Sequence, residues 1–384
     1  MTRRTFLELL PLLATTAPNT PLRVGILGHT GRGNFGHGLD TAWLGLPTTA
    51  VVAVADPDPK GLAAAQTRLG PVRAFADPHT LLDTVRPELV SVCPRHVDQH
   101  HAWIIAAIHA GVRGIYVEKP FVRTPAEADE IVGLCREKGV ALAVAHRNRY
   151  HPVLPLAKKI LEDGSLGQLL ELRARGKEDH RGGILDLWVL GSHLLNLACF
   201  LSGPPLACTA TVFQAGQPAG SDFREGDEGI GPLVGDEIHA RYEMPGGVPL
   251  FFDSRKDAGG KDSAFGLQAI CTRGILDFRI DVEPLVHVLP GNPLKPHPEA
   301  RSWVPVSSAG IGVPEPRKDM ARWISSHQAA LEDLLESVRT GRQPLCGPVD
   351  GRWTVELIHG ALASHRAGGV RVPFPLTTRG HALG

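Results

Sequence analysis

Gly28-His29-Thr30-Gly31-Arg32-Gly33 follows a short apolar run, Leu22 to Leu27, and leads into a segment of helical length. Backbone N–H groups at a bend between strand and helix, with the helix N-terminus behind them, suit a pyrophosphate. Read as G-x-G-x-x-G from Gly28, the bend has Thr30 at the middle glycine, which shifts the closest backbone approach to phosphate to Gly31. Asp56 ends the next apolar run, Ala50 to Ala55, 23 residues beyond Gly33, where a ribose-binding carboxylate belongs. A carboxylate there repels a 2′-phosphate and favours NAD, while Lys60 and Arg32 leave NADP open. A tight turn without a ligand is the competing reading, and the placement of Asp56 counts against it.

A second chemical signal is Val117-Glu118-Lys119-Pro120, which leaves the end of another apolar run. In an open parallel sheet the carboxyl edge of the strands is where ligands bind, so a lysine there can reach a reacting carbon. Arg149, Tyr150, Arg175, Lys177 and Asp179 are polar enough to contact hydroxyl groups, and Arg149 and Lys177 are the candidate substrate-binding pair.

Residues 28 to 33 and 117 to 120, with Cys93-Pro94-Arg95-His96, His100 and the stretch Gly347 to Val372, resemble the Gfo/Idh/MocA family of oxidoreductases. The resemblance covers nearly the whole chain after residue 21, and E-K-P in a Rossmann sequence is its most specific part. It implies a Rossmann domain followed by an open antiparallel sheet, with substrate between that sheet and the nicotinamide. It places Lys119 beside the substrate hydroxyl, Glu118 and Pro94 on the nicotinamide side, and Arg95 and His100 among the cofactor contacts, with Pro120 after a cis peptide bond. In the second half, Gly182-Gly183-Ile184-Leu185-Asp186-Leu187-Trp188-Val189-Leu190-Gly191-Ser192-His193 matches a stretch where the family commonly has an aspartate four residues before the histidine; here that position is Val189. Asp186 lies seven residues before His193, two helical turns, so on a regular helix it shares nearly the same face and can supply the carboxylate.

The elements that must position these residues alternate. Strands are expected at Leu22 to Leu27, Ala50 to Ala55, Leu89 to Cys93, Gly114 to Val117 and Val140 to Ala145. Helices are expected between the first two strands and at Lys60 to Leu69, Leu81 to Val85, Gln99 to Ala110 and Pro125 to Lys138, the last with Thr124 as N-cap. That rhythm predicts a doubly wound parallel sheet. After Tyr150 it changes to a helix from Pro155 to Glu162, a strand from Leu169 to Arg175, a helix from Ile184 to Leu201, and β-rich segments broken by Gly and Pro. Helices at Ser325 to Thr340 and Trp353 to His365 are expected to pack back on the body. The expected organisation is a leader over 1–20, a dinucleotide-binding domain over 21–150, and a substrate and oligomerisation domain over 151–384.

Composition narrows the classes. With 40 Lys+Arg against 40 Asp+Glu, the charge cancels, and nucleic acid and anionic membranes are not expected partners. Hydrophobic residues make up 43% and no apolar run reads as a membrane span. Six scattered cysteines without C-x-x-C read as buried free thiols, and the 18 histidines show no metal-ligand spacing, so no metal is expected. Thr2-Arg3-Arg4-Thr5-Phe6-Leu7 before a short apolar stretch looks like a twin-arginine export signal, which places the protein in the periplasm; an ordinary N-terminal helix in a cytoplasmic protein is the alternative.

The expected activity is NAD(P)-dependent hydride transfer at a sugar or polyol hydroxyl. A redox-neutral glycosidase, lyase or epimerase with retained cofactor fits the same residues, and a non-catalytic nucleotide sensor is a third reading. A homodimer or homotetramer follows from the resemblance alone.

Overall fold

The computed structural model describes residues 20–259 and 265–384. The proposed leader lies outside them. Six parallel strands, β1 (Leu22–Leu27), β2 (Thr49–Ala55), β3 (Arg73–Phe75), β4 (Leu89–Val92), β5 (Gly114–Val117) and β6 (Ala141–Val144), form one sheet in the order β3-β2-β1-β4-β5-β6. The order reverses between β1 and β4, which puts the ligand crevice at their carboxyl ends. Strands β4, β5 and β6 are buried along their whole length, as strands covered on both faces must be, and so read as unbroken apolar runs.

The helices α1 (Pro59–Leu69), α2 (Pro78–Val85), α3 (His100–His109) and α4 (Pro125–Lys138) connect these strands. Helix α4 starts as the sequence predicts, with a full capping box between Thr124 and Glu127, a device worth about 1 kcal/mol. The helix expected between β1 and β2 is absent. Turns occupy 30–40 and only a 3₁₀ segment, Thr41–Gly45, follows. Gly31, Gly33, Asn34, Gly36 and Gly38 all have positive φ, which a right-handed helix cannot contain.

The second sheet has eleven strands among the described residues. It is mostly antiparallel, with one correction to the expectation: Leu169–Arg175 lies parallel to Pro249–Arg255. One of its faces packs on helices whose apolar residues, with those of the sheet, make a second core around Trp188, Tyr242, Phe252 and Phe278. The segment Gly183–Ser202 is apolar and long enough by composition to cross a bilayer, contrary to the sequence reading, but 78% of its most apolar window is buried in this core.

Toward the end of the chain, Met320–Ser325 and Gln328–Thr340 are separate helices, broken at His327 (φ 64°). They pack on the first core, where the Tyr116 hydroxyl meets His327 Nδ1 at 2.6 Å. The helix Pro348–Arg366 lies between the two cores and contributes Val355 to the first and Leu357 to the second. All six cysteines are free thiols, five of them buried.

Candidate active site

At the carboxyl end of β1 the glycine-rich bend is closed on itself. Thr30 donates from its backbone N (3.1 Å) and hydroxyl (2.7 Å) to the Asp56 carboxylate, which also accepts from Asp58 N at 2.9 Å. Asp56 is fully buried. It therefore ties the bend to the end of β2 rather than presenting a free carboxylate to a ribose. Gly31 N donates to Asn34 Oδ1 and Arg32 N to the His29 carbonyl, so these donors also turn inward. Gly28 is required for another reason than phosphate: a Cβ there would collide with the Phe35 ring at 2.1 Å. The Arg32 guanidinium pairs with Asp98, and His29 Nδ1 meets Gln99 Oε1 at 2.9 Å, which anchors the bend to the segment after β4.

That anchoring brings two backbones together. A Cβ on Gly33 would sit 2.3 Å from Arg95 N. Beside this contact, Arg95 Nε and His96 Nδ1 are buried without a hydrogen-bond partner, and buried polar groups in that state call for one. A crevice at the strand-order switch point with unmet nitrogen donors fits a dinucleotide, whose ribose and phosphate oxygens are acceptors. Pro94 and His100 serve the crevice indirectly. The buried His100 ring spans the Pro94 carbonyl (2.7 Å) and the Phe121 carbonyl (2.9 Å), fixing both strand ends.

Glu118 and Lys119 leave β5 at this edge, with Lys119–Pro120 cis as expected. Glu118 is buried and accepts from His37 N (3.1 Å), His37 Nδ1 (2.9 Å) and Lys119 N (2.9 Å). Burial alone would raise its carboxyl, but the His37 hydrogen bond and the His37 and Lys119 charges hold it well below the ordinary range. Lys119 is only 5% exposed. Burial lowers its ammonium pKa, opposed by the Glu118 charge. Its Nζ donates to the Val189 carbonyl at 3.1 Å, reaching across to the second core.

Val189 lies in a π-helical turn, Leu187–Gly191, inserted between the helices Gly183–Asp186 and Ser192–Ser202. This insertion overturns the expected role of Asp186. A seven-residue spacing aligns two side chains only on a regular helix, and the wider turn rotates one against the other. Asp186 instead accepts from Glu178 N (3.0 Å) and Ser254 Oγ (2.6 Å), holding the 176–183 loop against the large sheet. It makes no hydrogen bond to His193.

His193 is 8% exposed. Burial, followed by the Lys119 charge, lowers its pKa to about 3, so the imidazole is neutral at neutral pH. Its Nδ1 lies 3.3 Å from His146 Nδ1. Asp281 also acts on it electrostatically, its own carboxylate held by Asn148 Nδ2 (2.8 Å) and Arg147 Nε (3.0 Å). Arg149, expected to bind substrate, is buried and fully engaged with Asn196 Oδ1, the Leu345 carbonyl and the face of Phe200; it fastens β6 to the second core. Lys177 lies beside Asp179, 4.0 Å away, on the loop that also carries Arg181.

The sequence reading missed His146, Asp281 and Arg181. His146 sits at the end of β6, a position that by itself signals an edge residue of the crevice. Asp281 follows a strand of the other sheet at positive φ, and nothing local ties it to His193.

Fold and site together define a Rossmann-type protein in which polar residues at the edge of the parallel sheet, Lys119 and His146, meet the helical segment that packs on a large second sheet. Residues 22–146 match the family model described as "Oxidoreductase family, NAD-binding Rossmann fold" of the Gfo/Idh/MocA proteins. The parallel-sheet region 22–146 is accordingly NAD(P)-binding. Among curated relatives, levoglucosan dehydrogenase of Pseudarthrobacter phenanthrenivorans is 26% identical over 62% of this chain and 66% of its own length. The scyllo-inositol 2-dehydrogenase (NADP(+)) of Bacillus subtilis is 32% identical over 29% of this chain and 34% of its own. The chain thus spans less than two thirds of each of these relatives. A solved structure of levoglucosan dehydrogenase in complex with NADH and levoglucosan shares the fold, with TM-score 0.73 and 20% identity over 93% of this chain and 100% of that one.

Proposed function

We propose that the protein oxidises a secondary hydroxyl of a sugar or polyol by hydride transfer to NAD(P), and reduces the corresponding carbonyl in reverse. The observation that carries this reading is the Lys119–Val189 contact, which draws a buried ammonium from the nucleotide side onto the helical segment bearing His193. A nicotinamide supplies the hydride acceptor. Lys119 donates to the substrate oxygen and stabilises its developing negative charge. His193, neutral because it is buried, accepts the hydroxyl proton. Arg181 and Asp179 on the 176–183 loop suit neighbouring hydroxyls as donor and acceptor. The names of the curated relatives, a levoglucosan and an inositol dehydrogenase, support this substrate class.

NAD is the proposed nucleotide, with NADP the other outcome. Assembly through the large sheet into a dimer or tetramer, and export on the twin-arginine segment, belong to the same proposal; light scattering and mass measurement of the mature N-terminus test them. For the activity itself, the purified protein is incubated with NAD⁺ or NADP⁺ and a panel of sugars and polyols. Accumulation of reduced nucleotide with at least one of them is expected. A protein that binds nucleotide yet reduces none of it across the panel contradicts the proposal.

A further inference from the structure

The side chain hydrogen-bonded to His193 is a second histidine. The two Nδ1 atoms are 3.3 Å apart, with ring centroids at 4.9 Å and ring planes at 84°. Both residues are buried, His146 at 1% exposure and His193 at 8%. No carboxylate bonds to His193 among the described residues: Asp186 meets Glu178 N and Ser254 through Oδ2, its Oδ1 is buried without a partner and not on His193, and Val189 has no polar side-chain atom. Phe265, whose ring lies 6.1 Å from that of His193, offers no acceptor.

Two neutral imidazoles can share this contact in two ways. Either His193 carries its proton on Nδ1 and His146 accepts, or His146 donates and the His193 proton sits on Nε2. Only the first leaves His193 Nε2 with a free lone pair. A histidine base whose proton sits on the wrong nitrogen cannot accept one from substrate, which is why such bases have a fixed hydrogen-bond partner.

We propose that His146 is the positioning residue of this site, accepting the Nδ1–H of His193 and thereby holding Nε2 free to take the substrate hydroxyl proton. The inference rests on the hydride-transfer reading above. In the step itself the substrate O–H bond breaks, its proton bonds to Nε2 and its electron pair forms the C=O bond, while the C–H electron pair would leave with the hydride to NAD(P)⁺. The positive charge gained stays on His193, close to the Asp281 carboxylate. His146 remains neutral, since burial and then the His193 and Lys119 charges keep its pKa well below the ordinary histidine value. At the end of β6 the neighbouring side chains are fixed, Arg147 and Asn148 on Asp281 and Arg149 on Asn196, while His146 Nε2, which carries that ring's own proton in this arrangement, is buried without a partner.

The test pairs His146→Leu, which removes the acceptor, with His146→Asn, whose amide oxygen can accept near the Nδ1 position. Nitrogen-15 NMR of histidine-labelled protein reads the His193 tautomer without requiring turnover. Expected are an Nδ1–H tautomer in the wild type and in His146→Asn, and an Nε2–H tautomer in His146→Leu. In sugar oxidation His146→Leu is expected to lose about 10²-fold in kcat at nearly unchanged KM, with much of the loss restored by His146→Asn. An Nε2–H tautomer in the wild type, or an Nδ1–H tautomer that survives His146→Leu, overturns the proposal. Full activity of His193→Ala instead sinks the role of His193 as base and leaves the tautomer result standing on its own.

Discussion

Lys119 Nζ donates to the carbonyl oxygen of Val189 at 3.1 Å, joining the edge of the parallel sheet to the π-helical turn immediately before the Ser192–Ser202 helix. The contact gives a buried ammonium a neutral partner, so its charge remains available to an incoming oxyanion. Lys119→Ala is therefore expected to lower kcat by about 10²- to 10³-fold, the usual cost of losing one donor to a developing oxyanion. Nucleotide affinity is expected to stay within a few-fold, since the bend at 28 to 33 is untouched. Calorimetric titration with NADH beside steady-state kinetics separates the two effects.

The pH profile of oxidation follows from burial. His193 is neutral down to about pH 3, so no acidic inflection is expected near the ordinary histidine value of 6.5. The Lys119 ammonium titrates below its ordinary 10.5, so kcat/KM is expected to fall on the alkaline side earlier than an exposed lysine would allow. A profile with a histidine inflection near 6.5 that disappears in His193→Ala contradicts this electrostatic picture.

Stability carries the same signature. His193, His327 and His359 have folded pKa values of about 3, 4 and 3, while the unfolded chain takes up those protons near 6.5. Below that pH the unfolded state binds more protons than the folded one, so stability is complete above 6.5 and falls with acidification toward pH 4 and 3. Each such histidine contributes up to about 1.4 kcal/mol per pH unit. Urea midpoints are expected to hold between pH 7.5 and pH 6.5 and to drop from there to pH 5.

Gly31 and Gly33 offer a controlled comparison. Their φ values, 86° and 87°, are nearly identical, but a Cβ on Gly31 meets nothing within 4 Å while one on Gly33 strikes Arg95 N at 2.3 Å. Gly31→Ala pays only the left-handed backbone penalty, about 1 kcal/mol. Gly33→Ala must in addition push the bend from the segment after β4, and is expected to weaken NADH binding at least tenfold more than Gly31→Ala does. Equal affinities in the two variants contradict the closed bend.

Much of this was legible in the chain because it is written locally. Unbroken apolar runs with polar ends gave β1, β2, β4, β5 and β6, and Thr124 with Pro125 marked the start of α4. The position of Lys119 at the sheet edge was legible because Glu-Lys-Pro directly follows the end of an apolar run. What escaped depended on irregular backbone or on distant partners. The glycines after β1 suggested a bend but hid the loss of the helix behind it. The π-turn at 187–191 has no composition of its own, and it moved Asp186 from His193 to Ser254. Asp56 occupied the expected place, yet Thr30 and Asp58 consume its oxygens, which no spacing rule reports. Arg149 reads as a polar edge residue, and only tertiary packing on Phe200 and Asn196 makes it structural.

The most direct test follows the hydride. A sugar that reduces the nucleotide is prepared with deuterium on the reacting carbon and mixed with the protein and NAD⁺, and the nucleotide is weighed by mass spectrometry. The account predicts one deuterium in the recovered NADH from the wild type and almost none in the same time from Lys119→Ala. Product formed from the wild type with an unlabelled nucleotide, or equal labelling by Lys119→Ala, contradicts it.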